Sequence, residues 1–301
     1  MTAMAIGFKQ LLGPMRVPFL LLTPACFLLG LGTASLAVDR VNAVQAVLVL
    51  IGAVSAHISV NAFNEYVDFK SGLDFKTCRT PFSGGSGTLP ENPALAGTAL
   101  KTAQITFSIA ALIGLYFCWA RGWRLLPLGI LGLVVIYAYT AWLVCHPLLC
   151  LVAPGLGFGP LMVMGTHFAL TGEYSTTSGL ASLIPFFLVS DLLLLNQFPD
   201  VEADRSIGRR HLPVVVGRRF SSYIYGLFLL CAYLVLVIGV CNTYFPPACL
   251  IGLITAAVAL PAFLGAVRFA DRPQKLIPFM GLNVIVNLTM PVLIAVGMLA
   301  A

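Results

Sequence analysis

The chain has 301 residues, of which 59% are hydrophobic and only 9% are charged. A soluble globular domain has about 25% charged residues, so a chain this apolar could not cover its surface with polar groups in water. The composition therefore predicts an integral membrane protein whose main partner is the lipid bilayer, and it excludes a soluble enzyme, a disordered chain and a nucleic-acid-binding module. The net charge of +6 is better explained by cationic loops on one side of a membrane.

Nine apolar segments are long enough to cross the hydrocarbon core, which takes about 20 residues as a helix. In chain order they lie near residues 17–37, 44–63, 99–120, 125–146, 148–170, 179–195, 222–241, 246–267 and 277–299. The predicted fold is therefore an all-α integral membrane protein with nine transmembrane helices. We expect a single domain over residues 1–301.

The positive charges alternate between the two ends of these segments. If the N-terminus is inside, the inner segments carry 14 of the 17 lysines and arginines. They are Lys9, Arg16, Lys70, Lys76, Arg79, Lys101, Arg205, Arg209, Arg210, Arg218, Arg219, Arg268, Arg272 and Lys275. Because cytoplasmic loops collect Lys and Arg, we expect a cytoplasmic N-terminus, in the inner membrane of a bacterium or archaeon.

Two inner loops are long and polar, at about residues 64–98 and 196–221, and they hold seven of the 11 acidic residues. Each begins with the spacing Asn-x-x-x-Asp and continues to a second aspartate. The first set is Asn64, Asp68 and Asp74, and the second is Asn196, Asp200 and Asp204. Since residues four apart share one face of a helix, each pair at that spacing can point at one spot.

The recurrence of this pattern after four further segments predicts an internal repeat, roughly residues 17–146 and 148–267. Such a repeat would form two four-helix units plus a final helix around a central cavity, with the two acidic motifs facing each other. Asp191, inside the sixth segment, is costly in lipid and is predicted to face the same cavity.

Facing carboxylates repel each other and raise each other's pKa unless a cation lies between them. Oxygen ligands without a nearby Cys/His pair favour Mg²⁺, which proteins hold through a few carboxylates together with substrate phosphates. Basic residues that could bind the remaining phosphate oxygens lie beside both motifs. They are Lys70, Lys76, Arg79, Arg205, Arg209 and Arg210. The pattern predicts a magnesium–diphosphate site on the cytoplasmic side.

These motifs resemble those of the UbiA superfamily of intramembrane aromatic prenyltransferases. Asp68-x5-Asp74 with Gly72 between, and Asp200-x3-Asp204-Arg205-x2-Gly208-Arg209, are most similar to the menaquinone branch, which prenylates 1,4-dihydroxy-2-naphthoate. The stretches at residues 81–87 and 157–161 are similar to that branch as well. The resemblance covers nearly the whole chain and includes the family's nine spans.

The resemblance implies Mg²⁺-dependent transfer of an isoprenyl chain from a polyprenyl diphosphate to an aromatic quinone precursor, through an allylic cation. It implies metal ligands, of which the four aspartates would be catalytic, at Asn64, Asp68, Asp74, Asn196, Asp200 and Asp204. It implies diphosphate-binding cations at Arg16, Lys70, Arg79, Arg205 and Arg209. Candidates for the acceptor pocket are Asn61, Tyr137, Tyr139 and His146. An aromatic belt at the membrane interface would explain Tyr137 and Tyr139 equally well.

One departure leaves the acceptor open. Relatives commonly carry a Lys or Arg just after the fourth span, whereas residues 137–147 contain neither. His146 is the alternative partner for an acceptor carboxylate. Other acceptors known in the superfamily are 4-hydroxybenzoate, chlorophyllide, haem and glycerol ether lipids. A cation-coupled transporter is a further alternative, but it predicts acidic residues near mid-span, whereas these lie at the inner ends of spans.

Overall fold

The computed structural model describes residues 12–301. Within this range, nine helices are long and apolar enough to cross a membrane. They are α1 (Gly13–Ser35), α2 (Ala43–Ser71), α3 (Pro93–Arg121), α4 (Trp123–Ala141), α5 (Pro147–Thr171), α6 (Thr176–Asn196), α7 (Arg218–Cys241), α8 (Pro247–Arg268) and α9 (Pro273–Leu299). The prediction of an all-α fold with nine spans is confirmed. Lys9, counted among the inner cations, lies outside the described residues.

Helix α2 is eight residues longer at its C-terminal end than the predicted segment, which stopped at residue 63. It begins where the Asn42 side chain accepts a hydrogen bond from the backbone N–H of Gln45, and it ends at Gly72, whose φ is 78°. A glycine in this left-handed conformation is a common helix end. The extension places Asn64 and Asp68 on the last turns of a regular helix, one turn apart.

The start of α1 is irregular. Two short 3-10 segments, Gly13–Met15 and Val17–Leu21, flank Arg16, which has φ 51° and ψ 52°. A left-handed conformation costs a non-glycine residue about 1–2 kcal/mol, so contacts of its side chain must hold Arg16 in this position.

Neighbouring helices form a bundle in which α2 packs on α3, α6 packs on α5 and α7, and α9 contacts α1 and α8. Helix α5 contains a π-helical segment, Gly157–Met164, and Gly155 and Gly159 bring its backbone against that of α6. The α2–α3 and α6–α7 contacts join equivalent helices of the predicted repeat. The repeat itself stays a prediction.

Large apolar side chains cover the outside of the bundle. Trp119 and Leu112 on α3 are 77% and 65% exposed, and Leu227 and Leu230 on α7 are more than half exposed. An apolar surface this extensive is typical of a protein whose outer face contacts lipid tails. The bundle therefore presents a lipid-facing surface on at least two of its sides.

Asp191 does not face the interior cavity. The side chain is fully buried within α6, and both carboxylate oxygens lack a hydrogen-bond partner. It is absent from the cavity lining, although Leu192 and Leu193 on the same helix belong to it. The prediction that Asp191 faces the cavity is therefore wrong, because its position on α6 turns it into the helix-packing core.

Candidate active site

A cavity of about 640 Å³ lies inside the bundle, with walls from α1 to α6 and from α9. Along most of its length the lining is apolar, and at the end formed by the two polar loops it becomes acidic. All six predicted metal ligands line it: Asn64, Asp68, Asp74, Asn196, Asp200 and Asp204. The structure thus brings together two motifs that are separated by four helices in sequence.

Short turns after α2 and α6 direct the second aspartate of each motif back toward the cavity. Gly72 reverses the chain, and the 3-10 helix Leu73–Phe75 then buries Asp74. On the other side α6 ends at Asn196, and Asp200 precedes a six-residue helix, Val201–Ser206, that buries Asp204.

Arg209 joins the two motifs. Its guanidinium donates to an oxygen of Asp68 and, over 3.3 Å, to Oδ1 of Asp204. Burial lowers the pKa of Arg209, but the charges of Asp68 and Asp204 more than offset this and raise it above its ordinary value. The other oxygen of Asp204 lies 2.6 Å from Nε2 of His211, which is also buried. A fixed positive charge therefore lies between the two acidic motifs.

Two carboxylates of the site are not neutralised by such a partner. Burial, followed by the nearby charges of Glu65 and Asp68, raises the pKa of Asp74 to about 7. Burial, followed by the charge of Asp204, raises the pKa of Asp200 to about 7. One buried oxygen on each, Oδ2 of Asp74 and Oδ1 of Asp200, has no hydrogen-bond partner. These orphaned oxygens suit a cation ligand.

A second charged cluster lies beside the first motif. Nε of Arg16 donates to Oε1 of Glu65 at 2.6 Å, and NH2 of Arg16 donates to Oδ1 of Asn64 at 3.1 Å. The backbone N–H and the hydroxyl of Ser86 donate to the two oxygens of Glu65, each at 2.7 Å. Arg16 also lines the cavity. Glu65 thus connects the start of α1 to the glycine-rich loop of residues 83–87.

That loop covers the acidic end of the cavity. Gly84, Gly85 and Gly87 all have positive φ. A Cβ at Gly85 would lie 3.0 Å from Oδ1 of Asp74 and 3.5 Å from Oε1 of Glu65. The loop approaches the carboxylates as closely as it does because no side chain is present at this position.

Three predicted diphosphate-binding cations do not line the cavity. Lys70 is exposed, with Nζ 5.8 Å from the centre of the Tyr66 ring. Arg79 pairs with Glu91 over 2.8 Å, and Arg205 pairs with Glu202 over 3.1 Å, both at the exposed surface. The cations that line the cavity among the described residues are Arg16 and Arg209.

Of the four candidates for the acceptor pocket, two line the cavity and two do not. Asn61 and Tyr139 line the cavity. Tyr137 is 70% exposed on the opposite face of α4, with its ring edge-on to Phe63, as expected of a lipid-facing residue. His146 is outside the cavity lining, where its Nδ1 lies 3.0 Å from the backbone oxygen of Trp142. Neither of the latter two reaches the interior.

Other functional candidates did not emerge from the sequence. Glu65 directly follows Asn64, and Gln197 directly follows Asn196. In the sequence, only this position next to a motif residue indicates that either side chain belongs to the site. Gln197 lines the cavity and its amide donates to Sγ of Cys150 at 3.3 Å. His211 had a weaker signal, since only its proximity to the second motif distinguished it.

Within residues 12–301, no three His, Cys, Asp or Glu side chains converge closely enough to form a preassembled metal centre. The guanidinium of Arg209 occupies part of the space between the motifs. The unpaired oxygens of Asp74 and Asp200 nevertheless provide hard ligands on opposite loops, so the donor set fits an oxygen-preferring cation completed by ligand oxygens.

Residues 20–285 match the UbiA prenyltransferase family. The chain belongs to this family. It is therefore a prenyltransferase and an integral membrane protein, which removes the transporter alternative. The 1,4-dihydroxy-2-naphthoate octaprenyltransferase of Bacillus subtilis (strain 168) is 27% identical over 248 residues, covering 80% of this prenyltransferase and 77% of the relative.

Solved structures share the fold of this prenyltransferase at low sequence identity. A digeranylgeranylglyceryl phosphate synthase is 15% identical with a TM-score of 0.68, covering 97% of this chain and 99% of that one. A UbiA homologue from Archaeoglobus fulgidus, bound to DMAPP and Mg²⁺, is 13% identical with a TM-score of 0.57, covering 95% of this chain and 99% of that one.

Proposed function

We propose that this prenyltransferase moves an isoprenyl chain from a polyprenyl diphosphate to an aromatic quinone precursor at the cytoplasmic end of its cavity. The observation that carries the proposal is the convergence of two acidic motifs at the polar end of an otherwise apolar cavity. A diphosphate with a long hydrocarbon tail has the same division into a charged head and an apolar tail.

The residues proposed to hold Mg²⁺ are the two motifs, Asn64, Asp68, Asp74, Asn196, Asp200 and Asp204. Bound Mg²⁺ would stabilise the negative charge that develops on the diphosphate as its bond to the isoprenyl carbon breaks. The orphaned oxygens of Asp74 and Asp200 support this assignment, and the Archaeoglobus fulgidus homologue is itself bound to Mg²⁺.

Arg16 and Arg209 are proposed to bind the diphosphate oxygens that the metal leaves free. Both line the cavity, and each is already oriented by a buried carboxylate, Glu65 for Arg16 and Asp68 for Arg209. A guanidinium matches the spacing of phosphate oxygens and keeps its charge at any physiological pH. Lys70, Arg79 and Arg205 are left as cations of the outer loop surface.

The apolar wall is proposed to hold the isoprenyl tail and to keep water away from the reacting carbon. Side chains such as Phe158, Leu161 and Met162 of α5 contribute to it. Exclusion of water matters because an allylic cation would otherwise be trapped as an alcohol.

For the acceptor we propose a 1,4-dihydroxy-2-naphthoate-like ring, as in the Bacillus subtilis relative. Tyr139 and Gln197 offer polar groups near the acidic end for its hydroxyls. A second candidate is an aromatic ring without a carboxylate. It is favoured by the lining of the described cavity, where no cation other than Arg16 and Arg209 is present to bind an acceptor carboxylate.

The test is an assay of purified protein with Mg²⁺, radiolabelled geranylgeranyl diphosphate and three acceptors, with mass spectrometry of the lipid extract. The acceptors are 1,4-dihydroxy-2-naphthoate, 4-hydroxybenzoate and a non-carboxylated quinol. A prenylated naphthoquinol is expected, and EDTA should stop its formation. If product forms only from the non-carboxylated quinol, the naphthoate proposal is wrong and the second candidate is the acceptor. Turnover that persists in EDTA would contradict the role of Mg²⁺.

A further inference from the structure

We infer that Glu65 is a positioning residue for the diphosphate site: it orients Arg16 and fastens the loop of residues 83–87 over the acidic end of the cavity. The inference rests on the proposed function, because it assigns Glu65 a task in diphosphate binding. Glu65 touches neither the cavity lumen nor, on this proposal, the substrate, and it acts through Arg16 and Ser86.

Both oxygens of Glu65 are already engaged. Oε1 accepts hydrogen bonds from Nε of Arg16 at 2.6 Å and from the N–H of Ser86 at 2.7 Å, while Oε2 accepts from the Ser86 hydroxyl at 2.7 Å. The side chain is fully buried. A buried carboxylate with this many short, charge-assisted bonds has little capacity left for a metal. Its neighbours Asp68 and Asp74 differ, since they line the cavity.

The contact with Glu65 explains why Arg16 keeps a strained backbone. Arg16 has a left-handed conformation, which a non-glycine residue adopts at a cost in free energy. Its Nε is held by Glu65 and its NH2 by Asn64, so the direction of the guanidinium plane is determined by two consecutive residues of α2. Strain maintained by surrounding contacts is typical of functional positions.

The contact with Ser86 determines where the loop lies. Thr88 continues the connection, because its N–H donates to the Ser86 hydroxyl at 3.2 Å and its side chain lies directly against Gly13 at the start of α1. Ser86 itself is exposed, and the residue that accepts its hydrogen bonds, Glu65, is buried. Loosening Glu65 would therefore release the loop and the start of α1 together.

The first test measures equilibrium binding of radiolabelled geranylgeranyl diphosphate, with Mg²⁺ and without acceptor, to the full chain in detergent. Glu65→Gln keeps an oxygen that can accept from the Ser86 N–H, but it removes the charge that orients Arg16. Its Kd should rise roughly tenfold. Glu173→Gln, an exposed carboxylate on the opposite loop, is the matched control and should bind as the wild type does.

A double-mutant cycle shows whether Glu65 acts through Arg16. In an Arg16→Gln background, adding Glu65→Gln should change the Kd little further, because the group that Glu65 orients is gone. Additive effects would mean that Glu65 does not act on the diphosphate through Arg16, and would overturn this part of the inference. In turnover assays the KM for the diphosphate should rise while the KM for the acceptor stays constant.

The loop is tested by hydrogen–deuterium exchange of residues 83–87, which needs no substrate. Ser86→Ala removes the hydroxyl bond and should speed exchange of these amides, as should Glu65→Gln, while amides in α7 stay unchanged. Exchange at the wild-type rate in both variants would overturn the role of Glu65 as the loop's anchor. If Glu65→Gln does not fold, Ser86→Ala still tests the anchoring of the loop, and Arg16→Gln still tests the role of Arg16 in diphosphate binding. If the wild type binds no prenyl diphosphate, the proposed function fails, and the exchange experiment still decides the contact.

Discussion

At the scale of single residues, the site combines the buried carboxylates of the two acidic motifs with the positive charges of Arg16 and Arg209. Asp68 and Asp204 share the guanidinium of Arg209, whereas Asp74 and Asp200 keep unpaired oxygens. Uncompensated carboxylates in a buried site are unfavourable unless protonated or bound to a cation. Burying the carboxylates of Asp74 and Asp200 without a partner is therefore costly, which is consistent with a site that is completed by a metal ion and a diphosphate.

Asp68→Asn and Asp200→Asn should each lower turnover by about 100-fold or more. Each removes a negative ligand, and the metal supplies several kcal/mol of transition-state stabilisation at about 1.4 kcal/mol per tenfold in rate. Both variants should remain folded, because asparagine preserves the shape of the side chain. Steady-state assays together with melting temperatures provide the measurement. Asp271→Asn, in the exposed connection between α8 and α9, is the control, and near-full activity in Asp68→Asn would contradict the site.

The raised pKa values of Asp74 and Asp200, each about 7, predict that Mg²⁺ binding depends on pH. A proton and the cation compete for the same carboxylate, so the apparent Mg²⁺ affinity should rise as the pH increases from 6 to 8 and level off above that range. Binding below pH 7 should release protons. Calorimetric titrations in two buffers of different ionisation enthalpy would show this release. An affinity independent of pH over the range would be the contrary result.

At the scale of elements, the loop of residues 83–87 depends on glycine where it crosses the acidic cluster. It has three left-handed glycines, and the closest approach to Asp74 is at Gly85. The loop is joined to α2 by Glu65 and to α1 by Thr88. Two helices, α1 and α2, therefore determine the position of this loop over the acidic end of the cavity.

Gly85→Ala should destabilise the loop by about 1–2 kcal/mol, since alanine disfavours the left-handed conformation. The added methyl group would also press on Asp74 from 3.0 Å. We expect a higher KM for the prenyl diphosphate and faster deuterium exchange of the loop. Gly97→Ala on α3 meets no atom within 4 Å and has no positive φ, so it serves as the control. Unchanged kinetics in Gly85→Ala would show that the loop's close approach has no functional consequence.

At the scale of the whole molecule, the acidic end of the cavity and the cationic loops lie at the same ends of the helices. The charge distribution predicts that this face is cytoplasmic. Native cysteines allow a direct test, because Cys78 lies in the loop after α2 and Cys241 at the opposite end of α7, and both are exposed.

Variants that retain only Cys78 or only Cys241 should label oppositely with a membrane-impermeant maleimide. In right-side-out vesicles Cys241 should react and Cys78 should not, and in inverted vesicles the order should reverse. Detergent-solubilised protein, in which both thiols should react, is the control for accessibility. Labelling of Cys78 in intact right-side-out vesicles would place the site on the outer face.

The nine helices could be predicted from the sequence because spanning a bilayer imposes a length and an apolar composition that few other structures share. The helix ends were predicted less well. Helix α2 continues past its apolar segment through Asn64 and Asp68, since those residues face a cavity within the protein rather than water. Hydropathy measures composition and does not distinguish a polar residue in a loop from one on a helix lining a cavity.

The sequence by itself determined the membrane class, the number of spans and the two acidic motifs, because each follows from composition or from local spacing. Only the tertiary structure decided which cations belong with them. Arg16 and Arg209 line the cavity, whereas Lys70, Arg79 and Arg205 do not. Glu65 holds Ser86, and Tyr139 lines the cavity while Tyr137 faces outward. Side-chain direction depends on contacts between segments far apart in the chain, and a linear pattern does not contain those contacts.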